Sequence, residues 1–86
     1  MKREIDQVIR GIPNFLLKEY LVELGGTMNC DDVVVGDGWV AVVTRLEPFR
    51  LFSLSVGQNR LQIEVDEEIA DAFLDRFAMK TLRAGA

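Results

Sequence analysis

The chain has 86 residues, 49% of them hydrophobic and 28% charged, with a formal net charge of −4. That is less than one typical domain length, so a single domain over 1–86 is expected, with one modest core and roughly 5,100 Å² of surface when folded. The apolar content excludes wholesale disorder, and the longest apolar run, Trp39 to Val43, is far short of the ~20 residues a membrane-spanning helix needs.

The opening Lys2-Arg3-Glu4-Ile5-Asp6 leads into no apolar stretch of a secretory signal, which makes a cytoplasmic location the expectation and a membrane partner unexpected. One cysteine, Cys30, allows no internal disulfide, and the absence of histidine removes the commonest general base and zinc ligand together. Fourteen acidic against ten basic residues oppose the counterion release that drives nucleic-acid binding, so no nucleic-acid partner is expected; nothing in the sequence names a ligand, and no cofactor is expected.

In chain order, Ile5, Val8, Ile9 and Ile12 fall at helical spacing, which predicts a short amphipathic turn over 4–12, interrupted by Gly11 and Pro13. A helix is predicted at 13–24, opened by Pro13, striped by Leu17, Tyr20, Leu21 and Leu24, and stopped at Gly25-Gly26. Val33-Val34-Val35 then run into Gly36-Asp37-Gly38 and Trp39 to Leu46, a hairpin about a type I′ Asp37-Gly38 turn. That register sets Val35 opposite Val40 and Val33 opposite Val42 on one face, and leaves Val34, Trp39, Ala41 and Val43 on the other.

Leu51 to Val56 alternates cleanly, and Gly57-Gln58-Asn59-Arg60 reads as the turn into a strand at 61–65. Val56 would pair with Leu61, Leu54 with Ile63 and Phe52 with Val65, giving a strongly apolar face. A three-residue loop about Pro48 is preferred because it sets Leu46 opposite Phe52. Asp66 reads as the cap of a helix at 67–82, striped by Ile69, Ala70, Phe73, Leu74, Phe77 and Ala78, with acids at its start and Arg76, Lys80 and Arg83 at its end. The expected fold is a two-layer α+β domain: an N-terminal helix, a four-stranded antiparallel meander and a C-terminal helix, with both helices on one sheet face. No internal repeat is visible.

The uncovered face would then carry Val34, Trp39, Ala41, Val43 and Leu51. A solvated antiparallel face normally turns polar, so this set reads as a protein interface, most simply a twofold dimer anchored by Trp39, unless the segment 4–12 folds across it. The domain is accordingly read as a small non-enzymatic interaction module that self-associates through its open sheet face, the expected assembly being a homodimer. The alternative is an accessory enzyme or cofactor-handling protein using Cys30 with Asp31, Asp32 and Arg45; two carboxylates beside the thiol argue against it.

A third reading is an acidic metal- or small-molecule-binding domain. Glu64, Asp66, Glu67, Glu68, Asp71 and Asp75 crowd one stretch, but their spacing fits no EF-hand and helix starts favour acids anyway; Asp31, Asp32 and Asp37 lie in turns. No metal is expected. Gly36-Asp37-Gly38 is followed by a strand rather than a helix, which excludes a phosphate loop, and Arg45, Arg50 and Arg60 are not expected to converge on an anion.

Leu82-Arg83-Ala84-Gly85-Ala86 resembles the Leu-Arg-x-Gly-Gly tail of ubiquitin-like sulfur carriers and modifiers. It departs from that tail at its last residue, and it follows a predicted helix where the tails follow a strand, so the carrier reading is set aside. The helix, meander, helix order resembles one repeat of the TATA-binding fold, but the acidic balance and the apolar sheet face argue against DNA binding.

Overall fold

The computed structural model describes residues 1–85. Its elements are β1 (Lys2–Arg10), α1 (Asn14–Glu23), β2 (Thr27–Cys30), β3 (Val33–Gly36), β4 (Trp39–Leu51), β5 (Leu54–Asp66) and α2 (Glu67–Gly85). The strands form one five-stranded sheet in the order β1-β5-β4-β3-β2, antiparallel at every neighbouring pair. The fold is therefore α+β with two helices, but it has five strands where four were expected.

Two outer strands are added, β1 and β2, the latter in the segment expected only to connect the first helix to the hairpin, while the strands expected at 51–56 and 61–65 are largely merged into β5; β1 replaces the short helix expected over 4–12. Ile5 and Ile9 turn toward the core while Glu4, Asp6, Val8 and Arg10 face away, so a period of two wins over the helical spacing that the same residues also satisfy. The deciding factor is tertiary: β1 pairs with β5 along its whole length, from Lys2↔Asp66 to Arg10↔Gln58. β-Branched Ile5, Val8 and Ile9 suit that half-buried ladder better than an isolated helical turn.

Helix α1 ends as its glycines require. Gly25 takes a φ of 104°, its N–H donates to the Val22 carbonyl and Gly26 N–H donates to the Leu21 carbonyl, the paired bonds of a Schellman stop. Pro13 sits just before the helix, its carbonyl accepting from Leu16 and Leu17 N–H. The hairpin at Asp37-Gly38 keeps its expected register, with Val35↔Val40 and Val33↔Val42. Only Gly38 of the two turn residues has positive φ, at 85°, so the turn is not the type I′ expected.

The largest departure lies between Leu46 and Leu61. Gly57-Gln58-Asn59-Arg60 is not a turn: β5 runs straight through it, and β4 runs straight through Pro48. The chain reverses instead at Phe52-Ser53, where Leu51 pairs with Leu54 and Phe52 holds a φ of 56°, a conformation that costs a bulky residue about 1 kcal/mol. The pairings Val56–Leu61, Leu54–Ile63, Phe52–Val65 and Leu46–Phe52 are all replaced by Val43↔Leu61, Ala41↔Ile63, Trp39↔Val65 and Leu46↔Gln58. A bulge at Glu47-Pro48, between Leu46↔Gln58 and Phe49↔Val56, accommodates a proline that has no N–H to donate.

Neither β1 nor β3 accompanies β4 and β5 past that bulge, so the two strands continue as a projecting arm. The molecule measures 44 × 26 × 21 Å. Its 5807 Å² of surface exceeds the roughly 5,100 Å² of a rounder chain of this mass.

The core lies on one face of the sheet. Leu17 and Leu21 of α1 and Ala70, Phe73 and Phe77 of α2 bury against Val34, Trp39, Ala41, Val43, Leu61, Ile63 and Val65. The Trp39 indole meets the Phe73 ring at 4.7 Å. It also lies so close to Gly36 that a Cβ there would fall 2.1 Å from the ring, so the glycine is required by the approach of the indole.

Candidate functional site

Strand parity decides what each face presents, and it corrects the expected interface. The hairpin does divide Val34, Trp39, Ala41 and Val43 from Val33, Val35, Val40 and Val42, but the helices cover the first set. Trp39 is 6% exposed and Val34, Ala41 and Val43 are fully buried, so these four are core and cannot anchor a surface. The inversion follows from the misplaced register of β5: with Leu61, Ile63 and Val65 paired to Val43, Ala41 and Trp39, the strongest apolar row is the one holding the indole. Leu51 alone of the expected interface set is exposed, at the tip of the arm.

The uncovered face carries a different column. Along β4 it presents Val40, Val42, Thr44 and Leu46 and, past the bulge, Phe49 and Leu51. Val33 and Val35 of β3 flank it on one side, and Val56 and Leu54 of β5 flank it in the arm. Because the bulge adds one residue to β4, the apolar side chains stay on one side of the ribbon through the proline. The tip exposes three large apolar side chains together, Leu51, Leu54 and a Phe52 that is 98% exposed.

The arm is fixed at its base. Arg10 Nε donates to Gln58 Oε1 at 2.8 Å, Gln58 Nε2 donates to the Glu47 carbonyl at 2.9 Å, and the Arg10 guanidinium lies 4.2 Å from the centre of the Phe49 ring. On the other side, buried Asn59 donates to the Ile12 carbonyl at 3.0 Å and accepts from Asn14 Nδ2 at 2.9 Å. This pair ties the root of the arm to the start of α1, beside a groove of about 620 Å³ whose lining includes Phe15, Leu46, Pro48 and Val56.

The β1 and β5 half of the uncovered face is polar and mostly self-neutralised. Arg60 donates to Asp6 through Nε at 3.0 Å and Nη2 at 2.6 Å, and these bonds hold the Asp6 carboxyl below the usual carboxylate range while raising Arg60. Lys2 lies 3.7 Å from both Glu64 and Asp66. Glu4 and Arg10 are the two charged residues of this face that have no ion-pair partner among the described residues.

The other expected sites do not assemble. Cys30 is exposed and pairs with Val33, on the uncovered side, whereas Arg45 pairs with Asn59 on the opposite side. The Asp32 carboxylate is 3.1 Å from Lys18 Nζ. Cys30, Asp31, Asp32 and Arg45 therefore do not converge. The acids at the start of α2 are engaged by Arg3, which donates to Glu67 and, at 2.9 Å, to Asp71; those bonds raise its pKa further. Among the described residues no three acids or thiols cluster to hold a metal ion, and no helix is long and apolar enough to cross a membrane.

Sequence reasoning missed Leu54, Val56 and Phe49 as surface residues and took the Val33, Val35, Val40, Val42 face as the covered one. The signal that was available is Gly36 and Gly26 around the indole: a Cβ at Gly26 would lie 2.7 Å from Trp39, and glycines beside a tryptophan indicate a tightly packed ring.

Two helices laid on one face of an antiparallel sheet, with the other face open and a β-ribbon extended from it, define a small α+β domain. The chain belongs to the family of archaeal MoaD-like proteins, whose family model matches residues 5–86, nearly all of the chain from the middle of β1 onward. No curated protein matches it.

Proposed function

We propose that this domain is a non-enzymatic interaction module that self-associates as a twofold dimer through its uncovered sheet face. The observation that carries the reading is the apolar column from Val40 to Leu51, flanked by Val33, Val35, Leu54 and Val56, on the one face that no helix covers. An antiparallel sheet face left to solvent alternates to polar residues, and the β1 and β5 half of this face does so while the β3, β4 and arm half does not. Trp39 takes no part; the anchors are Val40, Val42 and Leu51.

Sedimentation velocity on the wild type and on Val42→Asp tests the reading. The wild type is expected to sediment as a dimer at micromolar concentration and the variant as a monomer with native circular dichroism. A wild type that stays monomeric up to millimolar concentration overturns it.

The family match favours one second reading, a carrier adenylated at the end of its tail, as in the ubiquitin-like proteins that segment 82–86 resembles. Against it, α2 runs through Gly85, which holds residues 82–85 in a helix where a carrier presents its tail extended.

A further inference from the structure

We infer that the occupant of the uncovered face is a second copy of this chain with its strands running in the opposite direction, Glu4 of each copy set against Arg10 of the other. This rests on the self-association reading above and adds to it the orientation and the residues that select it. The basis is charge. On this face Lys2 is satisfied by Glu64 and Asp66, and Asp6 by Arg60. Glu4 and Arg10 lie on one strand and one face, three residues to either side of Gln7, and no opposite charge neutralises either among the described residues.

Two sheets packed face to face stand about 10 Å apart with strands within about 30° of alignment, a distance that glutamate and arginine side chains span together. A twofold axis lying across the strands at the level of Gln7, Leu61 and Val43, which are successive partners in the register, exchanges residues equally far from that level. It sets Glu4 against Arg10 on β1, Asp6 against Val8, Arg60 against Gln62 and Glu64 against Gln58, with Val40 against Leu46 and Val42 against Thr44 on β4. No like charges meet. Sliding the axis one residue either way does worse: at Asp6 it sets Asp6 on Asp6 and Lys2 on Arg10, and at Val8 it sets Arg60 on Arg60. Like charges directly opposed across an interface disfavour it strongly. The same operation carries each arm past the end of the other copy's sheet, bringing Arg50 toward the end that holds Asp37 and Asp66.

The test is a charge exchange read by sedimentation equilibrium at low salt, on Glu4→Arg, Arg10→Glu and the double variant, with circular dichroism to check the fold. Each single reversal is expected to weaken association at least about tenfold, because symmetry places the like charges at two points. The double variant should associate at least about tenfold more tightly than Arg10→Glu alone, since both pairs are rebuilt with exchanged signs while the loss of the Arg10 contacts to Gln58 and Phe49 is common to the two. If a reversal unfolds the chain, Glu4→Gln with the salt dependence of the wild-type dimer replaces it. Loss of the salt dependence in Glu4→Gln supports the pairing, and an unchanged dependence overturns it. A dimeric wild type whose single variants associate normally, or whose double variant is no tighter than the weaker single, overturns this orientation and leaves self-association standing. A monomeric wild type overturns both.

Discussion

Replacing Asn59 by alanine removes a buried side chain that ties the root of the arm to the start of α1. Asn59 makes two buried hydrogen bonds, donating to the Ile12 carbonyl and accepting from Asn14 Nδ2 at 3.0 and 2.9 Å. Each contributes about 1 kcal/mol net, and truncation also leaves the Asn14 amide and the Ile12 carbonyl without a protein partner at largely buried positions, so the expected loss is about 3 kcal/mol. Set against a total stability of roughly 4–13 kcal/mol for a chain of this length, that is a large fraction. At about 4–8 °C per kcal/mol for a domain of this size it lowers Tm by roughly 12–24 °C. The assay is urea and thermal unfolding by far-ultraviolet circular dichroism. Asn14→Ala together with Asn59→Ala should cost clearly less than the sum of the two single changes, because the second truncation removes a group the first has already orphaned. A loss below about 1 kcal/mol for Asn59→Ala, or strict additivity of the pair, would refute the argument that this contact is a buried tether.

Trp39→Ala is expected to lower stability by about 3–5 kcal/mol, the range for emptying a large aromatic site in a core, without altering association in the folded fraction. The native indole, the chain's single tryptophan, should resist acrylamide quenching equally at all protein concentrations. Quenching that rises on dilution would mean that a partner, and not α1 and α2, covers the ring. For Asp6, whose pKa Arg60 lowers from the ordinary 3.8, the sign is that of a depressed carboxylate: the pair stabilises the fold at neutral pH, and the benefit is lost as pH falls through the folded-state value. Asp6→Asn should therefore be less stable than wild type at pH 7, by a small and salt-screened amount, with the two curves converging below about pH 4. Curves that stay parallel down to pH 2 would show that the pair contributes nothing to folding.

How far the sequence was legible depended on whether local chemistry or distant pairing set each element. Gly25 and Gly26 after an apolar stripe stop α1 as read, and Glu67 and Glu68 in the first turn start α2 as read, because caps and dipoles act within one turn. The β3–β4 register was legible from Asp37-Gly38 for the same reason. The strand β1 was not, since Ile5, Val8 and Ile9 fit either period and only the ladder with β5 decides. The arm was misread because a phenylalanine holds the left-handed turn position at Phe52 while glycine and asparagine at 57 and 59 lie in extended strand, the reverse of ordinary turn chemistry. That one slip shifted β5 and inverted the face assigned to Trp39. The uncovered face itself, and Leu51 on it, remained readable; which valines line it was not.

The bulge at Glu47-Pro48 leaves β4 with one residue more than its partner strand needs between Leu46↔Gln58 and Phe49↔Val56. Length variation is therefore tolerable at that point and not in the stretch of β4 that packs on the helices. Excising Pro48 would let Leu46 and Phe49 keep their partners on a straighter ribbon, whereas excising any residue from Val40 to Val43 would push half the interior side chains into water. A one-codon deletion scan of β4 is expected to yield soluble, folded protein at Glu47 or Pro48 and aggregates at positions 40 to 43.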